Sequence, residues 1–488
     1  MNAPDTTGAI LNGNTLAEKR KLRRIVFSIA FAVFMVRLDS YIVNISLPTL
    51  ARFFKVGTGE VSWVILSYLL VMTGSTLIFG KLVDRVGLKK IFLRGYGLFI
   101  VGSLLCGLAP SILLLDAARC LQGAGGAMMI TGGMASIPHY LPPQITGWAF
   151  GICSLANSLG IMVGAPLGGI ITGFFSWEWI FLINVPVGIL AIVIGRKSLP
   201  PDPVLSPAIK EQRLHFDFRG AILSFIGTST LVFSLSVGKD MGFFSPMILT
   251  TLAVSVAALT GFFIMEKKTA DPILNLAVFR IREFSMAIAT TALAMMLLAG
   301  GNFLVPFYLE LLKGLSPEHV GAVVMVYSLV YMPIGPYAGR LSDRISPRRL
   351  CTIAMVLAFF ACLLFALTLS LPGLIPVVGY LSLLAVSYAL FFPANNHLVM
   401  ALAPVESQGS ASAIYMTVMN LGMLLGVCLF EGTFAQSLPE GMPIQDLHRD
   451  GVAREPQLTG AFQTAFIAGA CFSLLAFLMS FLSGRRTS

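Results

Sequence analysis

Apolar stretches close to twenty residues long recur along almost the whole chain, parted by short polar turns that carry most of the charge. A helix needs about 20 apolar residues to cross a hydrocarbon core about 30 Å thick. Fourteen stretches come near that length: 25–47, 62–80, 91–109, 112–138, 146–173, 179–195, 220–237, 246–265, 285–311, 319–338, 350–370, 374–402, 410–433 and 461–483. The pattern predicts an all-α membrane protein of 14 transmembrane helices, because a helix satisfies its backbone polar groups internally where no water can. The polar segment Met1–Arg24 and the long apolar run after it lack a cleavage site, so no removable leader is expected.

Composition supports this reading, with 56% hydrophobic and only 11% charged residues. A net charge of +10 invites a nucleic-acid partner, but the placement of the cations argues otherwise. Most of the 33 Lys and Arg residues fall in the turns on the side of the two termini, in clusters such as Lys19–Arg24, Lys81–Arg94 and Arg340–Arg349. The opposite turns carry only Arg52, Lys55, Lys239, Lys313, Arg449 and Arg454. This asymmetry predicts that both termini are cytoplasmic, with the basic charge setting topology and no nucleic acid bound. The seven cysteines show no CxxC spacing and read as small hydrophobes. Neither disulfide nor metal site is expected.

The turn Gly80–Lys90, GKLVDRVGLKK, recurs as Gly339–Arg349, GRLSDRISPRR. Such an internal repeat divides the chain into two related halves. The expected organisation is a tail over 1–24, a six-helix bundle over 25–195, linkers with an inserted helix pair over 196–283, a second six-helix bundle over 284–484 and a tail over 485–488. Two facing bundles suit alternating access around a site near the midplane. In the repeated turn, Gly80 is expected to allow close helix approach, Asp84 to accept hydrogen bonds at a helix end, and Arg85 with the lysines to hold the loop at the anionic surface. A plain positive-inside loop is the alternative.

Gly80, Leu82, Asp84, Arg85, Gly87, Lys89 and Lys90 match the signature loop of the major facilitator superfamily, which the chain resembles over nearly its whole length. LDSYIVNISLP in the first stretch and WEWIFLINVPVG in the sixth look like its fourteen-span drug:proton antiporter family. Leu115, Arg119, Gln122, Gly123 and Gly125 match that family's fourth-helix motif. Three positions depart from the pattern. Pro166 stands one place late in Gly164-Ala165-Pro166-Leu167-Gly168-Gly169, which turns any kink by about 100°. Glu178 stands where the family has arginine between two tryptophans, and Arg37 where it has an apolar or small residue. The resemblance implies the major facilitator fold, two six-helix bundles plus two inserted helices, acting as a gradient-driven transporter with Gly80, Asp84, Arg85, Gly87, Gly339, Asp343 and Arg344 in its gating loops.

Arg37 and Asp39 are two residues apart and therefore about 200° apart around one helix, so they cannot neutralise each other. A charge at this depth costs at least about 2.5–3.5 kcal/mol and must face protein or a wet cavity. Asp39 lies about 12 Å below the outer edge and Arg119 about 10 Å below it, at 1.5 Å per residue. They can therefore pair, either as a switchable proton-coupling couple or as a permanent packing pair. A carboxylate beside a guanidinium keeps its charge, whereas one stranded in a dry setting takes up a proton. Arg37 reads equally as an anchor for an anionic substrate group and as the partner of a structural acid. Asn44 shares its face. Glu310 is either a second titratable cavity group or an interfacial partner of Lys313. Gln122, Asn302 and Asn395 are expected to line the cavity or to pack helices together. Gly160, Gly164 and Gly168, next to Pro166, form a close-packing face first and a hinge second.

No phosphate-binding GxxxxGK[ST] loop and no nucleophile with a base occurs, so ATP-driven transport and enzymatic chemistry find no support. The reading is a monomeric transporter of a bacterial inner membrane, among lipids and without a cofactor, that exports small amphipathic compounds against protons. The alternatives are export of an anionic metabolite or lipid-like molecule, and a receptor or scaffold that moves nothing.

Overall fold

The computed structural model describes residues 16–202, 218–242, 244–268, 276–342, 345–403, 408–437 and 455–482. The first half comprises α1 (Leu16–Phe54), α2 (Thr58–Val86), α3 (Leu88–Gly107), α4 (Ile112–Tyr140), α5 (Pro143–Phe174), the single turn α6 (Trp179–Leu182) and α7 (Asn184–Ser198). An inserted pair follows, α8 (Phe218–Met241) and α9 (Pro246–Lys268). The second half holds α10 (Arg282–Leu311), α11 (Pro317–Ser342), α12 (Pro347–Thr368), α13 (Ile375–Leu402), α14 (Gln408–Gln436) and α15 (Glu455–Leu482). Among the described residues 11 helical segments are long and apolar enough to cross a membrane, with α6 and α7 counting as one. The helices α2 and α4 pack among them although their apolar runs are interrupted by Ser, Thr, Gly and charge.

Packing repeats the duplication seen in the turns. The second helix of the first half, α2, lies against α14, the fifth of the other, and α5 lies against α11 in the reciprocal arrangement. The first helices of the two halves, α1 and α10, also meet. The inserted pair packs on itself, and α8 sits beside both α2 and α14, along the seam between the halves. Linkage of the rings of Trp63 and Phe233 at 6.1 Å ties this pair to the first half.

Within the first half, α1 and α5 approach through the small-residue face of α5. A Cβ on Gly160 would stand 2.7 Å from the Phe34 carbonyl oxygen, and one on Gly168 would stand 2.8 Å from that of Ile42. A Cβ on Gly164 would meet the Tyr41 Cβ at 2.7 Å. No side chain fits without parting the helices. Gly168→Val should therefore lower apparent stability by about 1–3 kcal/mol through overpacking. Thermal unfolding in detergent reads this directly, and an unchanged midpoint would show that α1 and α5 can separate freely. Helix α5 continues through Pro166, whose Cα lies close to Gly321 of α11.

At the face carrying the termini, Gly87 adopts φ +107°, a conformation that favours glycine, and it divides α2 from α3. The Asp202 carboxylate accepts hydrogen bonds from the backbone N–H of Lys89 at 2.8 Å and of Lys90 at 3.1 Å, capping α3. Lys89 Nζ in turn donates to the carbonyls of Arg196 and Leu199 at 2.8 and 2.7 Å, closing the end of α7. An acid at a helix start and a base at a helix end are both favourable with respect to the helix dipole. Among the described residues, nothing comes within 4 Å of the place a Gly80 Cβ would take. Asp84 and Arg85 belong to α2 and Gly339 to α11, but their surroundings, and Asp343 and Arg344 altogether, lie outside the described residues.

Candidate functional site

Arg119 and Asp39 form a buried ion pair, with Arg119 Nη1 donating to Asp39 Oδ2 at 2.7 Å and side chains 1% and 0% exposed. The other carboxylate oxygen, Oδ1, accepts from Gln122 Nε2 at 2.8 Å and from Asn184 Nδ2 at 2.7 Å. Arg119 Nε donates to the Val64 carbonyl at 2.9 Å, and its Nη1 also reaches Gln122 Oε1 at 2.6 Å. Gln122 Nε2 donates further to Ser103 Oγ at 2.8 Å. The guanidinium lies over the Tyr68 ring with 4.1 Å to its centre, a favourable cation–π geometry. Helices α4 and α7 thus meet the carboxylate of α1, and α2 and α3 join the same network through Arg119 and Gln122.

Local sequence builds this convergence. Gln122 follows Arg119 by three residues, so both project from one face of α4. The glycines after it let neighbouring backbones come near: a Cβ on Gly123 would meet the Tyr68 carbonyl oxygen of α2 at 2.5 Å, and one on Gly125 would meet the Phe99 nitrogen of α3 at 2.5 Å. Gln122 is therefore a member of the buried network and not of the cavity wall. Ser103, Tyr68 and Asn184 were not singled out by sequence. Asn184 stands in the quoted sixth-stretch motif, but nothing in its spacing sets it apart from other helix-start asparagines.

On the other side of α1, Phe34, Arg37, Tyr41 and Asn44 stay half-buried while Met35, Val36, Leu38, Asp39, Ile42 and Val43 are buried. The spacing of three or four residues makes one stripe. It faces the opposite half, because Asn44 Nδ2 donates to the Asn302 carbonyl at 3.0 Å and Asn302 Nδ2 reaches the Tyr41 hydroxyl at 3.4 Å. Asn302 thus lies at the seam between the halves. Asn395 is fully buried and donates to Thr291 Oγ1 at 2.6 Å, joining α13 to α10 inside the second half, a helix-packing contact and not a cavity one.

Further along the seam, Arg52 Nη2 meets Glu310 Oε2 at 2.5 Å, with side chains 33% and 0% exposed. Neither sequence reading of Glu310 anticipated this partner. Lys313 turns away and donates to the Leu371 carbonyl at 2.8 Å. Thr58 Oγ1 donates to Glu431 Oε1 at 3.0 Å, so Glu431 is buried against the other half. These contacts lie where α1, α10 and α14 end and α2 begins, the face opposite the termini. The halves are bolted together there.

A family model described as Major Facilitator Superfamily matches residues 29–427. The riboflavin transporter RibZ of Clostridioides difficile (strain 630) is 32% identical over 417 residues, covering 85% of this chain and 88% of RibZ. MdtD of Escherichia coli O17:K52:H18, which carries a multidrug resistance name, is 31% identical over 405 residues, covering 82% and 84%. Among solved structures, a bacterial homologue of the human lysosomal transporter Spinster superposes with TM-score 0.68 at 16% identity, covering 96% of this chain and 98% of that one. A POT family transporter with a bound thioalcohol-conjugated peptide also reaches 0.68, at 15% identity, covering 94% and 96%.

Proposed function

Because the chain belongs to the major facilitator superfamily and is a transporter, not an enzyme, we propose that it is a proton-coupled secondary active transporter that exports small amphipathic compounds by alternating access. The Asp39–Arg119 pair carries this reading. It is fully buried, it draws on five helices, and it sits on the opposite side of α1 from the half-buried stripe that faces the second half. Helix α1 therefore connects a charge pair to the space where a substrate would lie. A rotation or shift of α1 against α4 separates the pair, the stranded carboxylate takes up a proton, and release of that proton restores it.

The closed face holds Arg52–Glu310 and Thr58–Glu431. The skew of basic residues assigns that face to the outside and the termini to the cytoplasm of a bacterium's inner membrane. In this assignment the structure is the outward-closed arrangement, and export requires these contacts to break. The small organic cargo named for RibZ and the drug-resistance name of MdtD favour an organic substrate over an ion.

Proteoliposomes acidified inside and offered riboflavin, ethidium or 2-naphthoate test the proposal. At least one compound should accumulate while the pH gradient stands and stop when nigericin collapses it. Accumulation of all three at rates indifferent to the gradient would sink proton coupling.

A further inference from the structure

We infer that Arg37 is the anchor for an acidic group on the transported compound, and that the substrate class is a planar aromatic acid. The inference rests on the transport reading above and names the substrate of that same site. Arg37 lies in the middle of α1, on the stripe whose neighbours Tyr41 and Asn44 reach Asn302 of the second half. Its Cβ lies beside Gly160 of α5, and its side chain is half-buried on that same stripe.

Two acids of the described residues on α1 and at the seam are already engaged. Asp39 projects from the other side of α1 and is held by Arg119, Gln122 and Asn184. Glu310 is held by Arg52. Among the described residues Arg37 has neither an ion-pair partner nor a hydrogen-bond acceptor. An uncompensated guanidinium at membrane depth is retained in a sequence only against a steep solvation cost, and its fork of donors fits a carboxylate or a similar oxyanion.

The surroundings specify the rest of the ligand. Tyr41 follows Arg37 by one turn on the same half-buried stripe. Helix α1 meets α11 of the opposite half, where Tyr327 and Tyr331 stack with ring centres 5.9 Å apart at 17°. A guanidinium on one wall and parallel aromatic rings on the other suit a flat body with an anionic end.

Equilibrium dialysis of the purified full-length protein in detergent tests this with three probes of one shape: 2-naphthoate, 2-naphthamide and 2-naphthylmethylammonium. The native protein should bind the carboxylate at least about tenfold more tightly than the amide, with the ammonium weakest. Arg37→Gln should bring carboxylate and amide within about twofold of each other, Arg37→Lys should keep part of the preference, and Tyr331→Leu should weaken all three probes alike. Equal affinities in the native protein overturn the inference, and so does a preference that survives Arg37→Gln. The native comparison needs no variant, so a poorly folding substitution does not blunt the test. Binding in detergent needs no gradient. Carboxylate preference without gradient-driven movement therefore sinks the transport reading alone, and gradient-driven movement without that preference sinks this one alone.

Discussion

Arg119→Ala should be among the most damaging single substitutions in the protein, and adding Asp39→Asn to it should recover stability. Truncating Arg119 removes the cation from Asp39, the Nε donor from the Val64 carbonyl and the donor from Gln122 Oε1. It leaves a carboxylate in a fully buried place with only the two amide donors of Gln122 and Asn184. Breaking a buried pair by removing one partner costs about 3–5 kcal/mol, most of it the stranded charge. Asn in place of Asp39 removes that charge while keeping the shape, so the double variant should unfold at a higher temperature than Arg119→Ala alone. Thermal unfolding of the two variants side by side reads the difference. A double variant no more stable than the single one would mean that Asp39 carries no charge in this arrangement, and the coupling scheme would lose its starting point. Neither variant should sustain gradient-driven accumulation, because the scheme needs both a proton acceptor and the cation that displaces the proton.

Much of the frame could be read from sequence for reasons that are local. Membrane spans announce themselves through run length, and the bundle duplication through a repeated turn, because neither depends on which helix meets which. The pairing of Asp39 with Arg119 could be expected too, since both depths follow from counting residues along helices that cross the same bilayer. Rotation about the helix axis was harder. By sequence Asn395 and Gln122 could line a cavity or pack helices together, and the structure turns both into bundle interiors. Only the helices packed around a residue decide whether it faces a cavity or a neighbour. Glu310 shows the same limit at longer range. Its sequence neighbour Lys313 offered a plausible partner one turn away, but Arg52, at the end of another helix in the other half, takes the contact. Asp202 as a cap for α3 was equally hidden, because the linker it belongs to carries no period that would place it.

Glu310→Gln should tip the molecule toward the arrangement open at the face that is closed here. The Arg52–Glu310 contact joins the end of α1 to the end of α10, and these ends must part for that face to open. Whatever the contact contributes is then lost from the closed arrangement alone, so it appears in full as a population shift. Arg52 is a third exposed, which screens the pair and lets the arginine turn to water when its partner is neutral. An ion pair with a partly exposed member contributes at most about 1 kcal/mol. At 1.4 kcal/mol per factor of ten, the closed-to-open ratio should fall up to about fivefold. Thr58–Glu431 and Asn44–Asn302 remain in place, so the shift stays partial and should deepen when Thr58→Ala is added. Spin labels at the exposed positions Lys55 and Gln436, on a background with the native cysteines replaced, report the distance between the two halves at this face. The distribution should broaden to longer distances in Glu310→Gln and return toward the native one when the charges are exchanged as Arg52→Glu with Glu310→Arg. A distribution unmoved by Glu310→Gln would mean that the ion pair follows closure without helping to hold it.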